Sequence, residues 1–443
     1  MITLPSTHAS ALAHPPLVSG GNPLWGHSLE FLRDPLTLLL RGHREHGSIF
    51  RIRLDGRCTV VLLDADLNRL VFTETGRRLS IRTAYPWLVR MFDPRFFFFA
   101  PEEEYQLQRQ VVLPRFQSRE LDGYIEVMET ETERFLGSLG DEGEIDLTSA
   151  LAPLVVRIAA GAFLGPDAAD ETAGLFRDLR RFSDGTDAIT PGWLPLPHLV
   201  RSRRAGRRLR AMILQLAQRR RAEPTAASDF LQYLASASYP DGAPVPDHVR
   251  VNLVLLLLWA GHETTTGQLA WSLIDLARHP EELRRVRQEH HGLTNRLTAT
   301  GINRLQHLNR CLHESERLHP VSYVMARIAQ APLDIEGWHI RPGSRVMVSP
   351  AAFHRLPETF PDPDRYRPDR FTDRSAAQQL IGFGGGMHRC LGVRFAYLEM
   401  AVIVTRLLQR YDLELLDPDP QPVRGSSTKW PQPTRVRYRR TPE

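Results

Sequence analysis

The sequence predicts a mainly α fold with small β-sheets (α+β), one domain over residues 16–443 behind a disordered arm at residues 1–15. Three observations predict it. Helical periodicity dominates from about residue 120 to 320, two alternating apolar runs lie near the start, and neither an internal repeat nor a long linker divides the chain.

The arm is rich in Ala, His, Pro and Ser, a composition that buries too little to order itself. "DPLTLLLRGHREHG" reads as a helix stopped by Gly47, and "IFRIRLDGRCTVVLL" as two strands turned at Asp55-Gly56. In "RSRRAGRRLRAMILQLAQRRR", Leu209, Met212, Ile213 and Leu216 share one helix face and arginines fill the other. That arginine face reads as solvated surface rather than a lipid or nucleic-acid contact. The preceding "TPGWLPLPHLV" is a proline-broken apolar loop, either a buried connection or a lip over a pocket. A further apolar helix covers about 247–277. Pro and Gly become frequent after residue 320, before a last long helix from about Cys390 to Tyr411 and a tail of short strands.

With 443 residues, 42% of them hydrophobic, the chain can bury a large core. Lys+Arg 56 against Asp+Glu 51 leaves +5, too weak a bias for a nucleic-acid binder. Lys429 is the single lysine, so arginine runs reflect coding bias more than chemistry. Cys58, Cys311 and Cys390 are too few and too scattered for a disulfide framework or a tetrahedral zinc site, which points to a reducing compartment. The N-terminus lacks a secretory pattern and the apolar run "VNLVLLLLWAG" is too short to span a bilayer. A cytoplasmic monomer is expected.

The chemistry concentrates in "IGFGGGMHRCLG", Ile381–Gly392. A phosphate-cradling loop would carry Lys-Ser/Thr after its glycines or a Gly-x-Gly-x-x-Gly unit, and this one has neither. A buried structural cysteine is the bland alternative. Placement at the start of an amphipathic helix favours a thiolate at Cys390, and Gly384, Gly385, Gly386 and Gly392 let backbone come close to a flat object. A single thiolate suits a metal already held by four other ligands, as iron is in a porphyrin. "WAGHETTTG", Trp259–Gly267, puts a polar cluster inside an apolar helix, where the threonine hydroxyls either bond back to the preceding turn or are in use. A zinc-protease motif is excluded, because Thr266 stands where a second His is needed. "ESERLHP" places Glu314 and Arg317 on one helix face, an ordinary ion-pair spacing.

The run Phe383-x-x-Gly386-x-His388-x-Cys390-x-Gly392 resembles the haem-binding loop of the cytochrome P-450 family of haem-thiolate oxygenases. The resemblance covers about residue 15 to the C-terminus. It implies haem b between a Thr-bearing and a Cys-bearing helix, Cys390 as axial thiolate, and Phe383, Gly384, His388 and Gly392 around it. The family usually has Arg where His388 stands; His there would offer a propionate a cation or an N–H. By the same resemblance Ala260 and Gly261 leave room for O2, Glu263 and Thr264 deliver protons, and Glu314, Arg317 and Arg370 form a buried network that fixes the cysteine loop. Tyr105, where Trp is usual, Arg109 and Arg327 match positions that face haem propionates.

The implied activity is insertion of one oxygen atom from O2 into a hydrophobic small molecule of the terpenoid, steroid or polyketide class, in secondary metabolism. No flavin or iron–sulfur segment is present, so electrons would come from a ferredoxin and its NAD(P)H-linked reductase. The segments expected to line the pocket are "AYPWLVRMFDPRFFFFA", "TPGWLPLPHLV" and "VSYVMA". An enzyme that desaturates, couples or rearranges would keep every motif; a haem sensor or carrier would not need Glu263 and Thr264.

Overall fold

The computed structural model describes residues 13–92, 95–165, 172–186, 194–223, 229–290, 293, 296–424 and 428–442. Residues 1–12 of the expected arm lie outside these. The remainder of that arm is ordered, a correction to the 1–15 boundary: Ala13 bridges Trp338, the His14 ring hydrogen-bonds the His339 carbonyl at 3.0 Å, and Arg51 N–H donates to the Pro16 carbonyl at 2.7 Å. Chain that reads as polar and loose gains order by adding backbone pairing to a sheet edge.

The helix Pro35–His46 starts at Asp34, whose carboxylate accepts from Thr37 N–H, and stops at Gly47 with φ 74°. It buries Leu38 and Leu39 against the hairpin of β1 (Ile49–Leu54) and β2 (Arg57–Leu62), paired from Ile49↔Leu62 to Leu54↔Arg57. Asp55 and Gly56 turn the hairpin with φ 53° and 72°, the left-handed pair that a two-residue loop demands. The chain then adds β3 (Leu79–Ser80), β4 (Glu142–Asp146), β5 (Met325–Ala329), β6 (Leu333–Ile335), β7 (Trp338–Ile340), β8 (Arg345–Val348), β9 (Tyr411–Leu415) and β10 (Arg435–Arg440). Among the described residues they form sheets β1-β2-β8-β5-β3, β4-β10-β9 and β6-β7, with β2 and β8 parallel and every other pair antiparallel.

Helices make up the rest. Asp247–Arg278 runs through the interior and packs along Leu147–Leu164. The latter is long and apolar enough to cross a membrane, yet 67% of it is buried in the protein. It exceeds "VNLVLLLLWAG" as the longest apolar element; Pro153 and Arg157 hide it in the sequence. Pro197–Ala222 buries Leu209 and Ile213 and turns Arg201, Arg204 and Arg208 to solvent, as its periodicity predicts.

Two hydrophobic clusters result, one among the helices and one under the five-stranded sheet. Ile381 belongs to the sheet-side cluster and Phe395 to the helical one. The cysteine loop between them therefore crosses the seam.

Candidate active site

The last long helix begins at Val393, with Gly392 as its cap and Cys390 outside it. Burial pushes the Cys390 thiol up, while the Gly392 N–H and Arg389 draw it back only in part. Cys390 stands before the helix rather than in its first turn, so the helix start lends the sulfur less support than its sequence position suggests. The loop is held open by Cys390 N–H donating to the Phe383 carbonyl at 2.9 Å and Gly384 N–H to the Ile381 carbonyl at 2.9 Å. Gly384 and Gly386 take φ 72° and 61°. Their neighbour Gly385 is needed for another reason, since a Cβ there would run into the Phe72 ring, and one on Gly386 would lie 2.6 Å from the Phe72 carbonyl oxygen. Two of the four glycines thus serve the approach of the Ala65–Glu74 helix, not of a flat ligand.

Cys390 is open to a cavity of about 320 Å³ and otherwise enclosed by protein. Ala260, Gly261 and Thr264 of the Asp247–Arg278 helix line it together with Arg327, Phe383, Gly384, His388 and Gly392. A Cβ on Gly261 would meet nothing within 4 Å, so this stretch of helix presents open space. The Thr264 hydroxyl donates to the Ala260 carbonyl at 2.6 Å and the Thr266 hydroxyl to that of His262 at 2.6 Å, the bonding back to the preceding turn that is one of the two readings for threonines inside an apolar helix. Glu263 is half-buried and does not line the cavity; its Oε1 lies 3.8 Å from Nε2 of buried His262, whose pKa burial pulls down against the Glu263 charge.

Arg327 is 5% exposed, and its guanidinium reaches only Thr75 Oγ1 at 2.9 Å and the Ala326 carbonyl at 2.8 Å. No carboxylate faces it among the described residues. Burial accordingly pulls its pKa down. Nε of Arg109 is buried without a hydrogen-bond partner. The Tyr105 hydroxyl donates to the Met387 carbonyl at 2.9 Å and its ring lies 4.3 Å from that of His388. Tyr105 therefore braces the cysteine loop from a smaller neighbouring cavity, and neither it nor Arg109 lines the larger one. Burial, with Arg327 and Arg109 nearby, pushes the His388 ring down to about 3, so without an anion beside it the ring is neutral.

The Glu314 carboxylate takes Nε and Nη2 of Arg317 at 2.7 and 2.9 Å and Nε of Arg370 at 3.0 Å. Arg317 then donates to the carbonyls of His354, Pro363 and Arg365. Every charge in this network is spent on a partner, which is what makes it costly to break. Asp369 pairs instead with Arg285 at 2.9 Å.

Three residues escaped sequence reading. Glu316 and Glu399 line the cavity with buried carboxyls, and Nε2 of buried His354 accepts the Ile381 N–H at 3.0 Å. Burial pushes Glu316 up to about 7 and Glu399 well above the carboxylate range. No local pattern marks them. Glu282, His307 and Cys311 also bring ligand-type atoms within 4.8 Å, but His307 already meets Glu282 at 2.8 Å and Arg285 occupies the same carboxylate at 3.0 Å.

The family model described as Cytochrome P450 matches residues 15–436. The chain belongs to the cytochrome P450 family. It is thus an oxidoreductase whose cofactor is haem with an axial cysteine thiolate, and whose reaction uses O2, a hydrophobic substrate and redox partners. The chain is 30% identical to the sterol 14alpha-demethylase of Mycolicibacterium vanbaalenii over 97% of its own length and 99% of that protein's. It is 28% identical to the human lanosterol 14-alpha demethylase over 91% of its length and 82% of the relative's. A solved retinoic acid-bound cyanobacterial CYP120A1 superposes with TM-score 0.87 at 28% identity, covering 97% of this chain and 100% of that one. The residues present fit a haem: a buried guanidinium that meets no carboxylate among the described residues, a thiol open to the cavity, and open space beside Gly261 in the lining of the same cavity.

Proposed function

We propose that this P450 oxidises a polycyclic or isoprenoid-derived hydrophobic molecule, with Cys390 as axial ligand, Arg327, Arg109 and the His388 N–H on the propionates, and Glu263 and Thr264 supplying protons. The observation that carries it is Cys390 open to a cavity shared with Ala260, Gly261 and Thr264 and lined by Arg327, a cation that meets no counter-charge among the described residues. Haem, when bound, supplies the activation of O2 and the oxidation of the C–H bond. The chain's own residues do the rest. Phe97, Leu253, Leu256, Leu257, Val321 and Met325 exclude water and hold an apolar body. Thr264 Oγ1 turns from the Ala260 carbonyl toward the cavity to give up its proton, and the Glu263 side of the helix restores it.

The "VSYVMA" segment and Phe97 support the expected lining; Asp93, Pro94, Phe98 and residues 190–193 of the proline-broken loop lie outside what can be described of side chains. Sterol- and retinoid-linked names among the relatives favour the steroid and terpenoid classes over polyketides. Electron supply from a ferredoxin and a place in secondary metabolism rest on the resemblance, and an organisation as one domain on the lack of an internal repeat or long linker in the sequence. The test is the reduced, carbon-monoxide-bound absorption spectrum, then a sterol and terpenoid screen for ligands that shift the ferric spin state. A thiolate-type band lost in Cys390→Ser and spin shifts with several ring systems are expected. A band that survives the substitution would sink the reading.

A further inference from the structure

One helix, Gln306–Leu318, carries two buried carboxylates two residues apart, and they face opposite ways. Glu314 serves Arg317 and Arg370. Glu316, 3% exposed, turns to the cysteine loop, where its Oε2 accepts the Tyr397 hydroxyl of the Val393–Arg410 helix. Among the described residues its Oε1 has no hydrogen bond of good geometry; it lies 2.5 Å from where a Cβ on Gly382 would stand, with the Gly382 N–H and the Arg389 charge as its nearest electrostatic support. Gly382 enters the loop and Tyr397 lies on the helix that leaves it, with the Tyr397 ring 5.5 Å from that of Phe383 and 4.8 Å from that of His313. Phe383 in turn receives the Cys390 N–H.

A buried carboxyl so sparsely supported costs stability, and the anchoring of the loop is already supplied by Arg317, His354 and Tyr105. An apolar side chain of the same size would fill the space at lower cost. We propose that Glu316 and Tyr397 are a positioning pair which wedges both ends of the cysteine loop and places negative charge on the wall of the cavity that Cys390 also lines, thereby setting the strength of the sulfur–iron bond and the ferric/ferrous balance. This rests on the haem-thiolate reading above. A carboxylate near the sulfur favours the more positive, ferric state, and the tyrosine hydroxyl holds that carboxylate in register.

The experiment uses the haem-loaded protein at alkaline pH and compares wild type with Glu316→Gln, Glu316→Leu and Tyr397→Phe by redox titration and reduced carbon-monoxide spectra. Glu316→Leu should raise the ferrous/ferric ratio at a fixed poise by about tenfold, ~59 mV for one electron. Tyr397→Phe should move it the same way by less, and both should displace the carbon-monoxide band. Unchanged potential and band in Tyr397→Phe and Glu316→Gln, with only thermal stability altered, would reduce the pair to a strut and overturn the proposal. Should Glu316→Leu not fold, the two conservative variants decide. A wild type without any thiolate-type band would instead be a failure of the haem-thiolate reading itself.

Discussion

Arg327 is a buried cation hydrogen-bonded to a hydroxyl and a carbonyl, and such a group is expensive until an anion arrives. Two effects of opposite sign follow for Arg327→Met. The haem-free protein should melt at a higher temperature, because an uncompensated charge is gone. The haem-loaded variant should release its cofactor faster by about tenfold to a hundredfold, the worth of a charged hydrogen bond at about 1.5–3 kcal/mol. Transfer of haem to an apo-globin acceptor measures the second. A variant that loses stability in both forms would show that Arg327 serves the fold alone. At this scale the sequence shows residue type but not environment. Cys390, Ala260, Gly261 and Thr264 are legible because a spacing marks them, whereas Glu316, Tyr397 and His354 gain their importance from partners brought in by |i−j| of 81 and 27.

Among the elements, the glycine run shows how one pattern can hold two meanings. Gly384 and Gly386 are required by their left-handed backbone, but Gly385 is required because the Ala65–Glu74 helix drives Phe72 against it. Gly385→Ala should therefore destabilise by about 1–3 kcal/mol through overpacking. Combined with Phe72→Leu, the loss should be less than the two single losses summed, with a coupling of roughly 0.5–3 kcal/mol in urea melts. Strict additivity would show that the close approach is not the constraint. Helix ends and the hairpin were readable here because caps and turns are local: Asp34, Gly47 and Asp55-Gly56 act within a few residues. The start of the Cys-bearing helix at Val393 was not, because Cys390 to Gly392 are held by cross-loop bonds that no helical period reveals.

For the molecule as a whole, the net +5 and the exposed Arg389 beside the thiolate suit an acidic electron carrier docking on that face. Ferredoxin-driven reduction should slow by about tenfold as salt rises from low to physiological strength, and Arg389→Glu should slow it at low salt while flattening the dependence. A rate indifferent to ionic strength in wild type would dismiss electrostatic docking. By itself the sequence determined the helical class, the early hairpin, the loop–helix pair of motifs and hence the haem-thiolate family, because each is written in spacings of a few residues along one chain segment. Only the tertiary structure decided that residues 13–15 are ordered, that Tyr105 braces Met387, and that a second buried carboxylate, Glu316, meets Tyr397 of the cysteine-bearing helix. Burial and long-range partners set those properties, and neither is encoded in a local pattern.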